Sequence, residues 1–195
     1  FERAGRELHS GYDLKTARRS MNLLTIEWAN RGINMWTIDE GFINLAQGVA
    51  TYDLPADTID LIEQVIRTGA GSTTLQSDLN LSRISVSTYS SVPNKLTQGR
   101  PIQVWVDRLR DNPTVTLWPV PDRGSALAPY YVLRYWRLRR IENAGAGVET
   151  SDMNFRFFPA LVSGLAYYIA TKIPELLPRI EMLKLQYEEQ YALAA

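Results

Sequence analysis

The 195 residues contain a single histidine, His9, and no cysteine. A metal centre built on two or three histidines is therefore impossible, thiolate catalysis is excluded, and a Ser-His-Asp arrangement would have to use His9 itself. His9 falls in a segment that reads as mobile, where an ordinary surface histidine is the simpler account. The carboxylates offer Asp39-Glu40, Asp57 with Asp60, and Glu188-Glu189. A pair held at a fixed separation can run glycoside hydrolysis, so a cell-wall-degrading glycosidase is one alternative function. Neighbours on a strand point to opposite faces, which counts against Asp39-Glu40. Glu188 and Glu189 belong to the polar side of a helix. Gly69-Ala70-Gly71 lacks the rest of any phosphate-binding fingerprint. The expectation is a protein with no catalytic centre, no cofactor and no metal.

One basic cluster stands out: Arg134, Arg137, Arg139 and Arg140, interleaved with Tyr135 and Trp136. Arginines with aromatics can grip phosphates and stack bases, which makes a DNA-binding module the second alternative. On a strand, alternation separates Arg134 and Arg140 from Arg137 and Arg139, and a salt-bridged sheet surface or a subunit contact is the plainer reading. The charge balance agrees, with 21 basic and 21 acidic residues, because dedicated nucleic-acid binders carry a cationic excess. Free DNA is expected to bind weakly and without sequence preference. Five tryptophans and ten tyrosines point towards assembly, since these residues are favoured at interfaces as well as in cores.

These residues need elements to hold them. A helix beginning near Asp13, a plausible N-cap, carries Leu14, Ala17, Met21, Leu24 and Trp28 on one stripe, and Gly32 supplies the stop. From Ile33 to about Glu142 the pattern becomes β. Trp36, Ile38, Phe42, Ile43 and Leu45 favour strand, with Gly41 as a bulge or bend. Ile59 to Arg67 reads as strand, Thr68 to Asp78 as an exposed loop, and Ser82 to Tyr89 as a short helix capped by Ser82. Strands follow at Ile102–Asp107, Thr114–Trp118 and Tyr130–Ile141, the first two joined by the Asp111-Asn112-Pro113 turn. After the glycine-rich link Ala144 to Gly147, Phe158, Leu161, Val162, Leu165, Tyr168 and Ile169 share a helical face that Asp152 or Asn154 could cap. Pro174 breaks this helix, and Leu176, Ile180, Leu183, Tyr187 and Tyr191 continue on a last one. Tyr187 and Tyr191 lie near the chain end, where fraying is normal. Cover by a neighbour and packing within the subunit both account for them.

The fold class predicted is α+β, a helical bundle from both chain ends (1–32 and 152–195) with an inserted β-rich module (33–151). The uncharged stretch Phe157 to Thr171 is too short for a membrane span, which needs roughly 20 predominantly apolar residues. The chain opens on Phe1 rather than methionine, which suggests that a few native residues precede it, and no secretory leader is visible.

Taken in order, several short motifs resemble those of the head-to-tail adaptor (tail tubular or gatekeeper-like) proteins of short-tailed phages. They are the helix with Asn22 and Trp28 followed by Gly32 and Trp36; Tyr52-Asp53-Leu54-Pro55; Gly99-Arg100-Pro101; Leu117-Trp118-Pro119-Val120-Pro121-Asp122; and the helices from Phe157 to Tyr191. The resemblance implies a structural virion protein of the tail or neck, assembled in the host cytoplasm as a homo-oligomeric, dodecameric ring below the portal protein. Such a ring extends the DNA channel, lets the genome pass through its lumen during ejection, and carries the tail nozzle and tail fibres. It also implies docking to the portal by a terminal segment, for which Tyr187 and Tyr191 are the candidates. Arg134, Trp136, Arg137, Arg139 and Arg140 are the candidates for subunit or DNA contact.

Overall fold

The structure, a computed structural model, describes residues 1–7, 11–33, 37–141 and 153–195. His9, Trp36, Asp152 and the link from Ala144 to Gly147 fall outside these ranges. In chain order come α1 (Gly11–Asn30), β1 (Ile38–Asn44), β2 (Thr51–Asp53) and β3 (Thr58–Thr68). Next are β4 (Ser77–Asn80), β5 (Ser82–Arg83), α2 (Val86–Ser90) and β6 (Gln98–Gly99). Then β7 (Gln103–Asp107), β8 (Thr114–Trp118), β9 (Val120–Pro121) and β10 (Tyr131–Arg139) lead to α3 (Phe158–Ala170) and α4 (Ile180–Ala194). The fold class is α+β with helices at both ends, as expected. The chain divides into two compact units, Phe1–Trp36 with Ile141–Ala195, and Thr37–Arg140.

In the helical unit, α1 starts at Gly11, so Asp13 stands in the first turn rather than at the cap; a carboxylate there still complements the helix dipole. Its stripe buries Leu24 and Trp28 completely, while Leu14 at the far end stays exposed. Gly32 takes a left-handed φ of 84°, and the Ile33 amide donates back to the Trp28 carbonyl at 3.2 Å, which satisfies a carbonyl the helix end would orphan. The face of α3 is the expected one in part: Leu161 and Ile169 are buried, and Leu165 and Tyr168 pack against the core. Its buried residues are mostly small (Ala160, Ser163, Gly164, Ala166), whereas Phe158 and Val162 are exposed. Gly164 explains the difference: a Cβ there would lie 2.9 Å from both Leu24 and Tyr187, so α3 seats its backbone directly on its neighbours. Asn154 caps a 3-10 turn, Phe155–Phe157, rather than α3 itself. After Pro174 a 3-10 stretch, Pro174–Arg179, precedes α4.

The β unit pairs its strands as β1-β10-β3-β4, all antiparallel, and β2-β8-β7-β5, with a small parallel pair β6-β9. Alternation supplies the core. Tyr131, Leu133 and Tyr135 of β10 meet Leu61 and Ile66 of β3, Val104 and Val106 of β7, and Val115 and Leu117 of β8 in one buried cluster.

Three local expectations are corrected. Gly41 marks no bulge, since β1 pairs with β10 in unbroken register; a Cβ there would sit 2.4 Å from the Tyr135 ring, so the glycine makes room for an aromatic across the sheet. The stretch from Thr68 to Asp78 is not all loop, because β3 continues into a hairpin in which Thr68 pairs with Ser77 and Arg67 with Asp78. Ser82 caps no helix: it joins β5, parallel to β7, and Ser85 caps α2 by accepting from the Thr88 amide at 3.2 Å.

Candidate functional site

Each arginine of the basic cluster is anchored on its own unit. Arg134 is ion-paired with Glu40. Arg137 reaches Asp39 at 3.3 Å, pairs with Asp57, and donates to the Thr58 hydroxyl at 3.0 Å. Arg139 contacts the same Asp39 at 2.8 Å, as expected for residues two apart on a strand. Beyond the strand, Arg140 donates to the Ala56 carbonyl at 2.7 Å. The register of β3 shifts opposite this segment, with Ile62 and Ile59 as the extra residues of two bulges. Burial opposes ionisation of Asp57, but the hydrogen bond and charge of Arg137 prevail and hold its carboxyl below the usual range. Trp136 lies beside Arg134 on the face opposite the buried Tyr135, and Arg134 is in register with the exposed Phe42.

These pairs also account for the candidate carboxylates other than Glu189. Asp39 and Glu40 hold different arginines. Asp57 is held by Arg137, and Asp60 by Arg83 and Arg108. Glu188 forms two hydrogen bonds of 3.1 Å with Arg31. Among the described residues no group of three or more side chains could hold a metal ion, and no helix is long and apolar enough to cross a membrane.

The terminal tyrosines belong to a polar knot that sequence reasoning missed. Tyr187 is only 1% exposed; its hydroxyl accepts from the Trp28 indole at 2.9 Å and donates to Glu27 at 3.1 Å. Tyr168 donates to the other Glu27 oxygen at 2.8 Å. Arg31 pairs with Glu27 and Glu188, and its guanidinium lies 4.5 Å from the centre of the half-buried Tyr191 ring. Burial, followed by the hydrogen bond to Glu27, pushes the Tyr168 phenol up to about 12, and burial raises Tyr187 as well. The hydrogen bond with Glu188 raises Arg31 and lowers Glu188. Glu27 stands off the apolar stripe in the sequence, and only its place one residue before Trp28 hints at the role.

The remaining conspicuous motifs are joints. The Tyr52 hydroxyl accepts from the Ala46 amide at 2.9 Å and donates to the Val49 carbonyl at 3.1 Å. The Trp118 indole donates to the Asn94 carbonyl at 3.1 Å. Gly99 pairs with Pro121, and Asp122 accepts from the Tyr131 hydroxyl at 3.1 Å.

Anchored charges and aromatics used as joints describe a structural component, one whose chemistry lies in holding its own shape. The chain belongs to the SU10 adaptor protein family, whose model matches residues 2–195, and it is a phage head-to-tail adaptor. No curated protein matches it.

Proposed function

We propose that the chain assembles with copies of itself into a dodecameric ring beneath the portal of a short-tailed phage, extending the DNA channel and giving the tail nozzle and fibres a platform. The family match over residues 2–195 is the observation that carries this reading. The ring sits in the neck of the virion after assembly in the host cytoplasm. Genome DNA passes its lumen without specific binding: Arg134, Arg137 and Arg139 are engaged with Glu40, Asp39 and Asp57, and phosphate contacts would hold the DNA rather than let it slide. Arg134 and Trp136, beside the exposed Phe42, offer a sheet face to a neighbouring protein.

The C-terminal end of α4 docks to the portal. Tyr187 is too deep to take part directly, and Tyr191 is half-buried, so Leu193, 72% exposed on the last turn, is the contact residue. Deleting the last ten residues would remove the core residue Tyr187 as well, so a surface change is the sharper test. Leu193→Glu, co-produced with the portal protein of the same phage, should keep wild-type helicity and melting but lose at least about tenfold in portal association, the effect of placing one charge in an apolar contact. Unchanged portal association would overturn the docking.

A further inference from the structure

Helices α1 and α4 each turn one face to the same core, through Leu24 and Trp28 on one and Tyr187 and Ala194 on the other. Their opposite faces are not polar, as surface helices normally are. On α1, Tyr12, Leu23 and Ile26 are 75%, 50% and 57% exposed and share their side with Lys15 and Arg19. On α4, Met182 and Leu185 are 44% and 72% exposed and lie with Glu181 and Glu189. One face is therefore apolar and basic, the other apolar and acidic. Among the described residues, none of these four charges has an ion-pair partner within the chain.

We infer that the outer face of α1 on one copy packs against the outer face of α4 on the next, with Lys15 and Arg19 facing Glu181 and Glu189 around an apolar contact of Leu23 and Ile26 with Met182 and Leu185. This rests on the ring reading and specifies its interface. A head-to-tail ring requires two different, complementary patches on each subunit. Either face meeting its own kind would oppose like charges, which disfavours α1–α1 and α4–α4 contacts. Each copy in a closed ring uses both faces once, so the charges are matched throughout.

Charge reversal tests this without touching the core. Lys15→Glu with Arg19→Glu makes both faces acidic; Glu181→Lys with Glu189→Lys makes both basic. Each double variant and the wild type are co-produced with the portal protein and examined by native mass spectrometry, with circular dichroism as the control for folding. Each variant alone should remain folded but lose ring species at least about tenfold, as like charges now meet at every contact. Mixed in equal amounts, the two variants should recover rings in which they alternate, because every α1–α4 contact then joins opposite charges. If the wild type forms rings and each folded variant does so equally well, the interface is wrong and the ring reading stands. If variants that fail singly also fail when mixed, the pairing of these faces is wrong. A wild type that stays monomeric with the portal present would overturn the ring reading itself.

Discussion

Glu27 carries more of the helical unit than its place in the sequence suggests, because it accepts from Tyr168 and Tyr187 and pairs with Arg31. The Tyr187 hydroxyl ties this carboxylate to the Trp28 indole. Tyr187→Phe leaves that buried N–H without its partner, and a loss of about 1–3 kcal/mol is expected, read as a lower denaturation midpoint with an unchanged denaturant slope. Gly41→Ala should destabilise the β unit by a similar amount, about 1–3 kcal/mol, since the added Cβ collides with the Tyr135 ring. Replacing Tyr135 with leucine in the same chain should recover part of that loss in the same measurement. The purpose of Gly41 could not be read locally: the ring that needs the space lies on β10, far along the chain, and a glycine within a strand reads as a bulge until the partner strand is known. Leu24, Trp28 and Gly32 were legible because helical spacing and a left-handed stop are local properties.

At the scale of elements, β7 and β8 declared themselves by alternation and by the turn between them, and α4 by its spacing after Pro174. The start of α2 was misplaced because β5 consists of two residues whose strand character comes from pairing with β7, and nothing in Ser82-Arg83 itself signals that. Phe158 and Val162 were misplaced on the core face of α3 for a related reason: large residues look like core, yet close approach at Gly164 selects small ones. The ion pairs between elements set an acid limit. Asp57 and Glu188 have lowered folded values, so their stabilisation is present above the unfolded carboxylate range and is lost as pH falls through the folded values. Melting temperature should therefore decline from about pH 4.5 downwards. The tyrosines set the opposite limit. Tyr168, raised to about 12, and Tyr187, raised by burial, contribute stability that is complete below about pH 10 and lost as pH climbs through the folded values. Absorbance of phenolate at alkaline pH should resolve a late-titrating class that shrinks in Tyr168→Phe. If all tyrosines titrate together near 10 while the protein stays folded, the knot is not formed as described.

For the whole molecule, the α+β class and the adaptor resemblance were readable from the order of elements and short motifs. The candidate surfaces were less so, since a sequence does not say which arginines meet carboxylates or which tyrosine is interior. Arg137→Ala with Arg139→Ala should weaken the β unit by about 1–2 kcal/mol, the scale of partly exposed ion pairs with one well-buried partner. The same change should leave DNA binding as weak as before, with a Kd above about 1 µM at physiological salt; tighter binding abolished by it would make that strand a DNA contact. A cryo-electron microscopy reconstruction of the intact particle shows both where the chain sits and how it assembles, by fitting the helical unit and the β unit separately into the neck density. A closed ring of this chain is expected between the portal and the tail, with the end of α4 against the portal and the DNA channel running through its centre. Neck density that cannot hold this chain, or single copies bound outside the channel, would contradict it.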